Sequence, residues 1–362
     1  KILNLSYNKS IHMYKEIEEK VLDNIDKSRN EIIELMQRLV QIPSPTGDEG
    51  EIGEFVLSEV KKHNLGDARI VQRIEGRPNV VARYKGTKGD PSLAVYAHYD
   101  TVPPGDLSNW MYGPYSGEIV DGKMYGRGVS DHKFPISPLL FATKAIRDAG
   151  IELKGDIVYA FVCDEEFGGH HGTKYLVDEG YLDTNMMLYS GGGGDGTRIG
   201  IASNGRQYFR ITVKGRTAHT GRNDQGVNAA TKAAKLILRL EELREEVNGR
   251  RDKFKAGDME IAGKARLSIN YVNAFVTGNN VPDRCIVQID RRFIPQVETI
   301  EGCEAEIQEV IDELGKKDPD FKADMHRVPD KWMEPAWSYP DSPLIQSLQA
   351  SAEKILGVKP SI

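Results

Sequence analysis

Cysteine is scarce in this sequence, and long apolar runs do not occur in it. The three cysteines, Cys163, Cys285 and Cys303, are far apart and follow no metal-binding spacing. They predict buried thiols in a reducing compartment rather than a disulfide framework or a zinc knuckle. No run of about 18 apolar residues supports a membrane-spanning helix. The N-terminus lacks the basic, apolar and small-residue order of a secretion signal, so the sequence predicts a cytoplasmic protein.

The charge balance is modest and slightly acidic. Lys and Arg number 48 and Asp and Glu 54, which gives a formal net charge of −6 at pH 7. This sign argues against nucleic acid and against an anionic membrane surface as partners. At 362 residues, 39% hydrophobic and 28% charged, the chain is long enough for two globular domains.

The apolar patterns predict two regions of different character. In the first region, short buried strands alternate with helices, which predicts an α/β domain with a mostly parallel sheet flanked by helices. From Gly205, alternating strands and two amphipathic helices predict a smaller α+β domain inserted into the first. The buried strand patterns of the first region lie at 92–97, 156–163 and 185–190.

The first chemical motif follows the strand pattern at 92–97 and places His98 two residues before Asp100. A histidine at a strand end can bind a metal through one ring nitrogen while the aspartate holds the other. In isolation such a pair is more often structural.

The second motif is Gly126-Arg127-Gly128-Val129-Ser130-Asp131, before a helix pattern. One carboxylate can bridge two cations, and Asp131 is placed to do so. The alternative is an aspartate that caps the helix without a metal.

The third motif, Asp164-Glu165-Glu166, comes directly after a buried strand pattern and before two glycines. Adjacent glutamates can divide the work, one coordinating a metal and the other acting as general base. A solvated acidic turn explains the motif equally well in isolation.

Together the three motifs resemble those of the M20 metallopeptidase family, which includes succinyl-diaminopimelate desuccinylases, acetylornithine deacetylases, aminoacylases, carboxypeptidases and dipeptidases. The resemblance runs from about Leu39 to about Leu356. In the second region it rests on four short segments, at 215–220, 226–229, 280–283 and 290–292.

The resemblance implies a role for each motif residue of the first region. His98 is a ligand of the first metal, Asp100 orients it, and Asp131 bridges the two metals. Glu165 is the general base, and Glu166 is a ligand of the second metal.

In the smaller domain the resemblance implies substrate contacts and a homodimer. His219 is similar to the histidine that reaches the substrate carbonyl or oxyanion, often across a dimer interface. Asn280 and Arg292 resemble residues that hold the substrate carboxylate, which a guanidinium can bind through two hydrogen bonds. The alternatives are a structural turn histidine and a surface ion pair.

Two departures from the family concern the metal ligands. Where the family has an acidic ligand after the third strand, this chain reads Ser190-Gly191-Gly192-Gly193-Gly194-Asp195, so Asp195 is the local carboxylate. Either the glycines bend to bring Asp195 in, or this ligand is absent. The family's last histidine ligand has no counterpart before Ile362, where we expect the catalytic domain to be truncated.

The expected domains are a catalytic domain at 13–204, an inserted lid and dimerisation domain at 205–337, and a return segment of the catalytic domain at 338–362. The expected function is hydrolysis of an amide or peptide bond in a small carboxylate-bearing substrate, such as an N-acyl amino acid, a succinyl-diaminopimelate-like compound or a short peptide. Two divalent cations assist, with zinc as the default and cobalt or manganese as alternatives.

Three other functions are each suggested by part of the sequence. A metal-deficient homologue that only binds amino-acid derivatives is favoured by the glycine-rich segment but not by the intact acidic motif. A serine hydrolase using Ser190 lacks the nucleophile elbow, because Leu188 stands two residues earlier. A phosphate-binding loop at 191–194 lacks the Gly-Lys-Ser/Thr ending.

Overall fold

The structure is a computed structural model that describes residues 2–191, 194–275 and 278–362. It divides into two compact units, Lys1–Gly194 (unit 1) and Asp195–Ile362 (unit 2). Assignment of 195–204 and 338–362 to the catalytic domain stays a prediction. The helices are α1 (Ile2–Lys27), α2 (Arg29–Gln41), α3 (Gly50–Lys62), α4 (Ile136–Asp148), α5 (Thr173–Asp178), α6 (Ala229–Gly249), α7 (Ile300–Lys317) and α8 (Pro343–Leu356).

The strands range in length from two residues (β8 and β15) to twelve residues (β14). They are β1 (Asp67–Val71), β2 (Asn79–Tyr84), β3 (Gly89–His98), β4 (Glu118–Val120), β5 (Lys123–Tyr125), β6 (Gly155–Val162), β7 (Met186–Tyr189), β8 (Ala202–Ser203), β9 (Gly205–Lys214), β10 (Arg251–Ala256), β11 (Met259–Lys264), β12 (Arg266–Phe275), β13 (Arg284–Phe293), β14 (Lys322–Met333) and β15 (Ala336–Trp337).

Unit 1 is built on a five-stranded sheet with the order β1-β2-β6-β3-β7. Strand β3 pairs in parallel with both β6 and β7, whereas β1–β2 and β2–β6 are antiparallel. The predicted α/β class is confirmed, and the sheet is mixed rather than mostly parallel. The cause is the short connection at 72–78, because a hairpin of that length can join only antiparallel strands.

Both faces of this sheet are covered, as expected for a sheet whose central strands are almost wholly apolar. One face packs against α2, α3 and α4 through side chains such as Leu39, Val56 and Leu140. The other face packs against α5 and the residues after it, through Leu176, Tyr181 and Leu182. Burial on both faces holds the strand ends in place, and the site residues follow those ends.

Unit 2 contains a four-stranded antiparallel sheet with the order β12-β13-β9-β14. Its core lies between this sheet and helices α6 and α7. Alternation along β9 and β13 buries every second side chain against the helices and leaves the others on the opposite, open face. In β14 the pairing register shifts between Arg327 and Trp332, so its alternation is broken and no strand was predicted there.

Asn228 caps helix α6, and Thr299 caps helix α7. The Asn228 side chain accepts hydrogen bonds from the backbone N–H groups of Ala230 and Thr231, at 2.9 and 3.2 Å. The Thr299 hydroxyl accepts one from Gly302 at 3.1 Å. These caps satisfy amides at the helix starts that have no partner within the helix. No described helix has the length and apolar character needed to span a bilayer.

Candidate active site

The residues of the three motifs meet at one edge of the unit 1 sheet. Strands β6, β3 and β7 are parallel neighbours, so their carboxyl ends lie at the same edge. His98 is the last residue of β3, Asp164 follows β6, and Ser190 follows β7. Asp131 arrives from the loop before α4. The strand ends therefore position His98, Asp164 and Ser190, and the loop brings Asp131 to the same edge.

His98 is the centre of this group and is fully buried. Its Nε2 atom is 3.0 Å from Asp131 Oδ1 and 3.7 Å from Glu165 Oε2. Its Nδ1 atom is 3.1 Å from the backbone carbonyl of Asp100 and 3.4 Å from Asp100 Oδ1. The structure thus brings together four of the residues singled out in the sequence.

The charge state of His98 follows from these neighbours. Burial by itself lowers the pKa of the imidazole, because it disfavours the charged form. The hydrogen bond and charge of Asp100, together with the charges of Glu165 and Asp131, outweigh burial and raise the pKa to about 9. The carboxylates around the ring create a strong preference for positive charge at this position.

Asp100 connects the end of β3 to the turn that carries the glutamates. Its Oδ1 accepts a hydrogen bond from the N–H of Glu165 at 3.0 Å, and its Oδ2 accepts from the N–H of Glu166 at 3.2 Å. The Thr46 hydroxyl donates to Oδ2 at 2.7 Å. Burial raises the pKa of Asp100, but these bonds and His98 outweigh it and lower the pKa below its ordinary value. Asp100 therefore positions the backbone of Glu165 and Glu166 as well as the imidazole.

Glu165 and Glu166 begin a single 3₁₀ turn, Glu165–Phe167. The side chain of Glu165 is 41% exposed and that of Asp131 65% exposed, so both carboxylates are open to solvent. Burial and the charge of Asp131 raise the pKa of Glu166. The like charges at this edge disfavour one another, which a bound cation would relieve.

A buried ion pair beneath the glutamate turn was not predicted from the sequence. Arg77 donates to both carboxylate oxygens of Glu49, at 3.0 and 2.5 Å, and its NH1 is 3.0 Å from Asp164 Oδ1. Glu49 is fully buried. Asp164 has a φ of 67°, in the left-handed region, and its Oδ2 accepts from the N–H of His171 at 3.0 Å. The pair fixes the residue from which the glutamate turn starts.

His132 is a second residue whose role was not predicted. Its ring is fully buried and stacks on His98, with centroids 5.1 Å apart and planes inclined by 22°. Its Nδ1 accepts from the N–H of His98 at 3.4 Å, and its Nε2 donates to the carbonyl of Ser190. The ring thus joins the Asp131 loop to the ends of β3 and β7. Its place in the motif next to Asp131 was the available signal.

The predicted substrate residues belong to unit 2, and all are exposed. His219 and Asn280 are brought together as backbone neighbours in an isolated bridge, and His219 Nδ1 accepts from the N–H of Gly221 at 3.1 Å. Arg292 is 47% exposed and lies 3.4 Å from Asp290 Oδ2. Arg291 points to the helices, where it is fully buried and bonded to Glu298 at 2.5 Å.

The profile of peptidase family M20/M25/M40 matches residues 94–362, which is most of the chain. The chain belongs to this family. The matched span includes His98, Asp100, Asp131, Glu165 and Glu166, so the family match and the clustered side chains refer to the same part of the sequence.

Proteins similar to this M20 family member include enzymes with different substrates. A succinyl-diaminopimelate desuccinylase of Methylorubrum populi is 32% identical over 235 residues, which cover 62% of this chain and 60% of the relative. The chain thus spans less than two thirds of that relative's length. The structure of human carnosine dipeptidase 1 has a TM-score of 0.73 at 18% identity, covering 95% of this chain and 86% of that one.

A dinuclear metal-binding peptidase of the M20 family from Bacillus subtilis has the same fold, with a TM-score of 0.64 at 17% identity and coverage of 93% and 82%. Among the residues that the structure describes, no group of three or more His, Cys, Asp or Glu side chains is arranged to bind a metal ion. The donor atoms nevertheless suit a divalent cation, because zinc is bound by histidine nitrogen and by carboxylate oxygen. His98 Nε2 and Asp131 Oδ1 are 3.0 Å apart, which is close enough for both to bind one cation at about 2 Å.

The M20 ligand expected after the third strand is not located by the structure. Gly192 and Gly193 lie outside the described residues. Asp195 is exposed, and its Oδ1 accepts from the N–H and the hydroxyl of Thr197 at 3.0 and 2.5 Å. These bonds lower the pKa of Asp195. Its role as a metal ligand stays a prediction.

Proposed function

We propose that this M20 family member contributes to a metal-dependent hydrolase that cleaves an amide or peptide bond in a small, carboxylate-bearing substrate. One observation carries the proposal. A buried imidazole, His98, faces two solvent-exposed carboxylates, Asp131 and Glu165, at the carboxyl edge of an α/β sheet. A cation site and an accessible base in one place are the requirements of this chemistry.

His98, Asp131 and Glu166 would hold the cations, and Asp195 would join them if its segment approaches. Two divalent cations, zinc by preference, supply Lewis acidity toward a carbonyl group and toward water when bound. His98 offers Nε2 to a cation because Asp100 lies against its Nδ1. Asp131 is suited to bridging because its two oxygens can each contact a different cation.

Glu165 acts as the general base. Its carboxylate is exposed, so it can take a proton from the attacking water and return it to the leaving amine. Its backbone N–H is held by Asp100, and the turn starts from the immobilised Asp164. The base therefore works from a fixed backbone with a side chain that can move between water and amine.

The residues of unit 2 bind the substrate. His219 donates to the developing oxyanion, and Asn280, its partner in an isolated backbone bridge, helps to hold the substrate carboxylate. Arg292 holds the substrate carboxylate, since its guanidinium is exposed and only distantly paired with Asp290. Arg291 is unsuited to that task because it is buried against Glu298.

The assembly and location follow from other features. Strand β12 lies at the edge of the unit 2 sheet and exposes Tyr271, Val272 and Phe275, so we propose that it pairs with β12 of a second copy in a homodimer. Sedimentation showing only monomer at micromolar concentration would contradict this pairing.

Cys163, Cys285 and Cys303 are buried free thiols, which supports a cytoplasmic location.

The test measures metal content and hydrolysis together. The purified chain is stripped with a chelator, reloaded with zinc, cobalt or manganese, and assayed on N-acyl amino acids and dipeptides. We expect activity that is lost on stripping and restored on loading, with up to two equivalents of metal bound. Activity that survives complete stripping would overturn the proposal.

The second candidate is a metal-deficient homologue that binds amino-acid derivatives without turnover. The observation in its favour is that the Asp195 carboxylate is engaged by Thr197. The same titration separates the two functions. Ligand binding without metal uptake or hydrolysis would select the binding protein.

A further inference from the structure

Tyr189 is the last residue of β7 and adds an aromatic ring to the carboxyl edge of the unit 1 sheet. Its ring lies against that of His132, with centroids 4.9 Å apart, and against that of Tyr96, with centroids 5.2 Å apart. His132 in turn stacks on His98, so a single ring stands between Tyr189 and the central imidazole of the site. Tyr189 therefore belongs to the same cluster of rings as His98.

The hydroxyl of Tyr189 lies close enough to the carboxylates of this edge to be affected by their charges. Burial raises the pKa of Tyr189 to about 12, and the negative charges of Glu165, Asp131 and Glu166 act in the same direction. The phenol therefore keeps its proton at neutral pH and can donate a hydrogen bond. Within the described ranges, no residue accepts one from it. The residue is 47% exposed, so a ligand at this edge can reach it.

Gly191 provides the space that the ring of Tyr189 occupies. A Cβ atom at position 191 would overlap Cε1 of Tyr189 and would lie 2.7 Å from Cζ and 2.8 Å from Cδ1. Carbon atoms in good contact are about 3.5–4.0 Å apart, so any side chain at position 191 would force the ring to move. The absence of a side chain there allows the phenol to lie beside the site.

We propose that Tyr189 is a further catalytic residue whose hydroxyl donates a hydrogen bond to the carbonyl oxygen of the scissile amide. The inference rests on the proposed function, in which Glu165 is the base at the same edge. A hydrogen bond to this oxygen strengthens as negative charge develops on it, so the donor favours the transition state over the substrate. Packing against Tyr96 and His132 restricts the ring, so little rearrangement is needed. Unlike His219, this donor belongs to the unit that contains the base.

The experiment measures steady-state kinetics of the full, metal-loaded chain on the N-acyl amino acid or dipeptide that it cleaves fastest. Tyr189→Phe removes only the hydroxyl, so kcat/KM should fall about tenfold or more, as expected for a hydrogen bond to a charged group. Metal content measured by elemental analysis should not change. Tyr181→Phe is the matched control and should keep full activity. Tyr181 packs against Arg69 of β1, which is the opposite edge strand of the same sheet.

Gly191→Ala removes the donor without altering the tyrosine. The added methyl group displaces the ring, so this variant should lose activity as Tyr189→Phe does. The double variant should lose no more than either single variant, because the hydroxyl can be removed from the site only once. Thermal unfolding checks that each variant is folded. If Gly191→Ala is not, the comparison of Tyr189→Phe with Tyr189→Leu replaces it, since the first keeps the ring and the second does not.

Two results would overturn the role of Tyr189 while hydrolysis stands. One is full activity in Tyr189→Phe, even where Tyr189→Leu is impaired, because the ring then only fills space. The other is a double variant whose loss is the product of the two single losses.

Hydrolysis can fail separately. If no compound is cleaved, calorimetric titration with N-acetylglutamate decides, because the hydroxyl should still donate to a bound carbonyl oxygen. Tyr189→Phe should then bind this compound several-fold more weakly than the unaltered chain does. Equal affinities would overturn the donor, and a chain that neither binds nor cleaves would overturn both proposals.

Discussion

The two units hold the side chains proposed to be functional in opposite ways. In unit 1, His98 and Asp100 are fully buried. The carboxylate of Asp100 accepts hydrogen bonds from two backbone amides and a hydroxyl. In unit 2, His219, Asn280 and Arg292 are exposed, and the nearest acid to Arg292 is 3.4 Å away. We infer that unit 1 preorganises the chemistry, whereas unit 2 presents groups that can adapt to a substrate.

Each unit also contains a buried arginine–glutamate pair, and the two pairs differ in what they support. In unit 1, Arg77 bonds to Glu49 and also contacts Asp164, the residue directly before Glu165. In unit 2, Arg291 and Glu298 lie on the helix side of the sheet, and Glu298 also accepts from the N–H of Ile294. The first pair belongs to the site, and the second belongs to the core of its unit.

The largest effect on turnover is expected at Glu165, the proposed base, in the buried and hydrogen-bonded site of unit 1. Glu165→Gln keeps the shape of the side chain but cannot accept a proton. Turnover should fall by at least about a hundredfold, as general-base contributions predict, while metal content measured by elemental analysis is retained. Full activity in Glu165→Gln would remove the base from the mechanism.

Arg77→Met tests how much the buried ion pair contributes to the free energy of unfolding. The variant leaves Glu49 and Asp164 without their cation, and breaking a buried pair costs about 3–5 kcal/mol. The matched control is Arg83→Met, because Arg83 forms a partly exposed 2.8 Å pair with Asp156 in the same sheet. That pair should contribute about 0–1 kcal/mol. Urea unfolding measures both, and equal losses would contradict the distinction.

Arg292→Ala tests the adaptable surface of unit 2. Loss of a charge-assisted contact should cost about 1.5–3 kcal/mol, or roughly ten- to more than a hundredfold in affinity. The effect should appear in KM for an N-acyl amino acid and be absent for its methyl ester. A wild-type enzyme that does not distinguish acid from ester would show that no carboxylate is anchored.

The smallest effect is expected at the cap of α6, which lies in unit 2 but outside the predicted site. Asn228→Ala leaves two backbone amides without their acceptor and should lower the free energy of unfolding by about 1 kcal/mol. Asn228→Ser, which can still cap, should restore most of it. Activity per folded molecule should not change. A loss of turnover in folded protein would place Asn228 in the site.

The strands and motif positions could be predicted because buried strands require apolar side chains on both faces. The pattern at 92–97 falls within β3, and the pattern at 156–163 nearly coincides with β6. The buried ion pair of Glu49 and Arg77 could not be predicted in this way. Glu49 and Arg77 are 28 positions apart and look like solvated residues in a linear pattern. Only their pairing in space makes their burial tolerable.

The shared use of Asp100 has a consequence for altering this protein. Because one carboxylate faces the imidazole and also accepts from the amides of Glu165 and Glu166, the proposed cation ligand His98 and the proposed base Glu165 are both held by Asp100. If the proposed function holds, exchanging His98 for another donor would change cation preference and leave the backbone of Glu165 in place, whereas any substitution of Asp100 would disturb both residues at once.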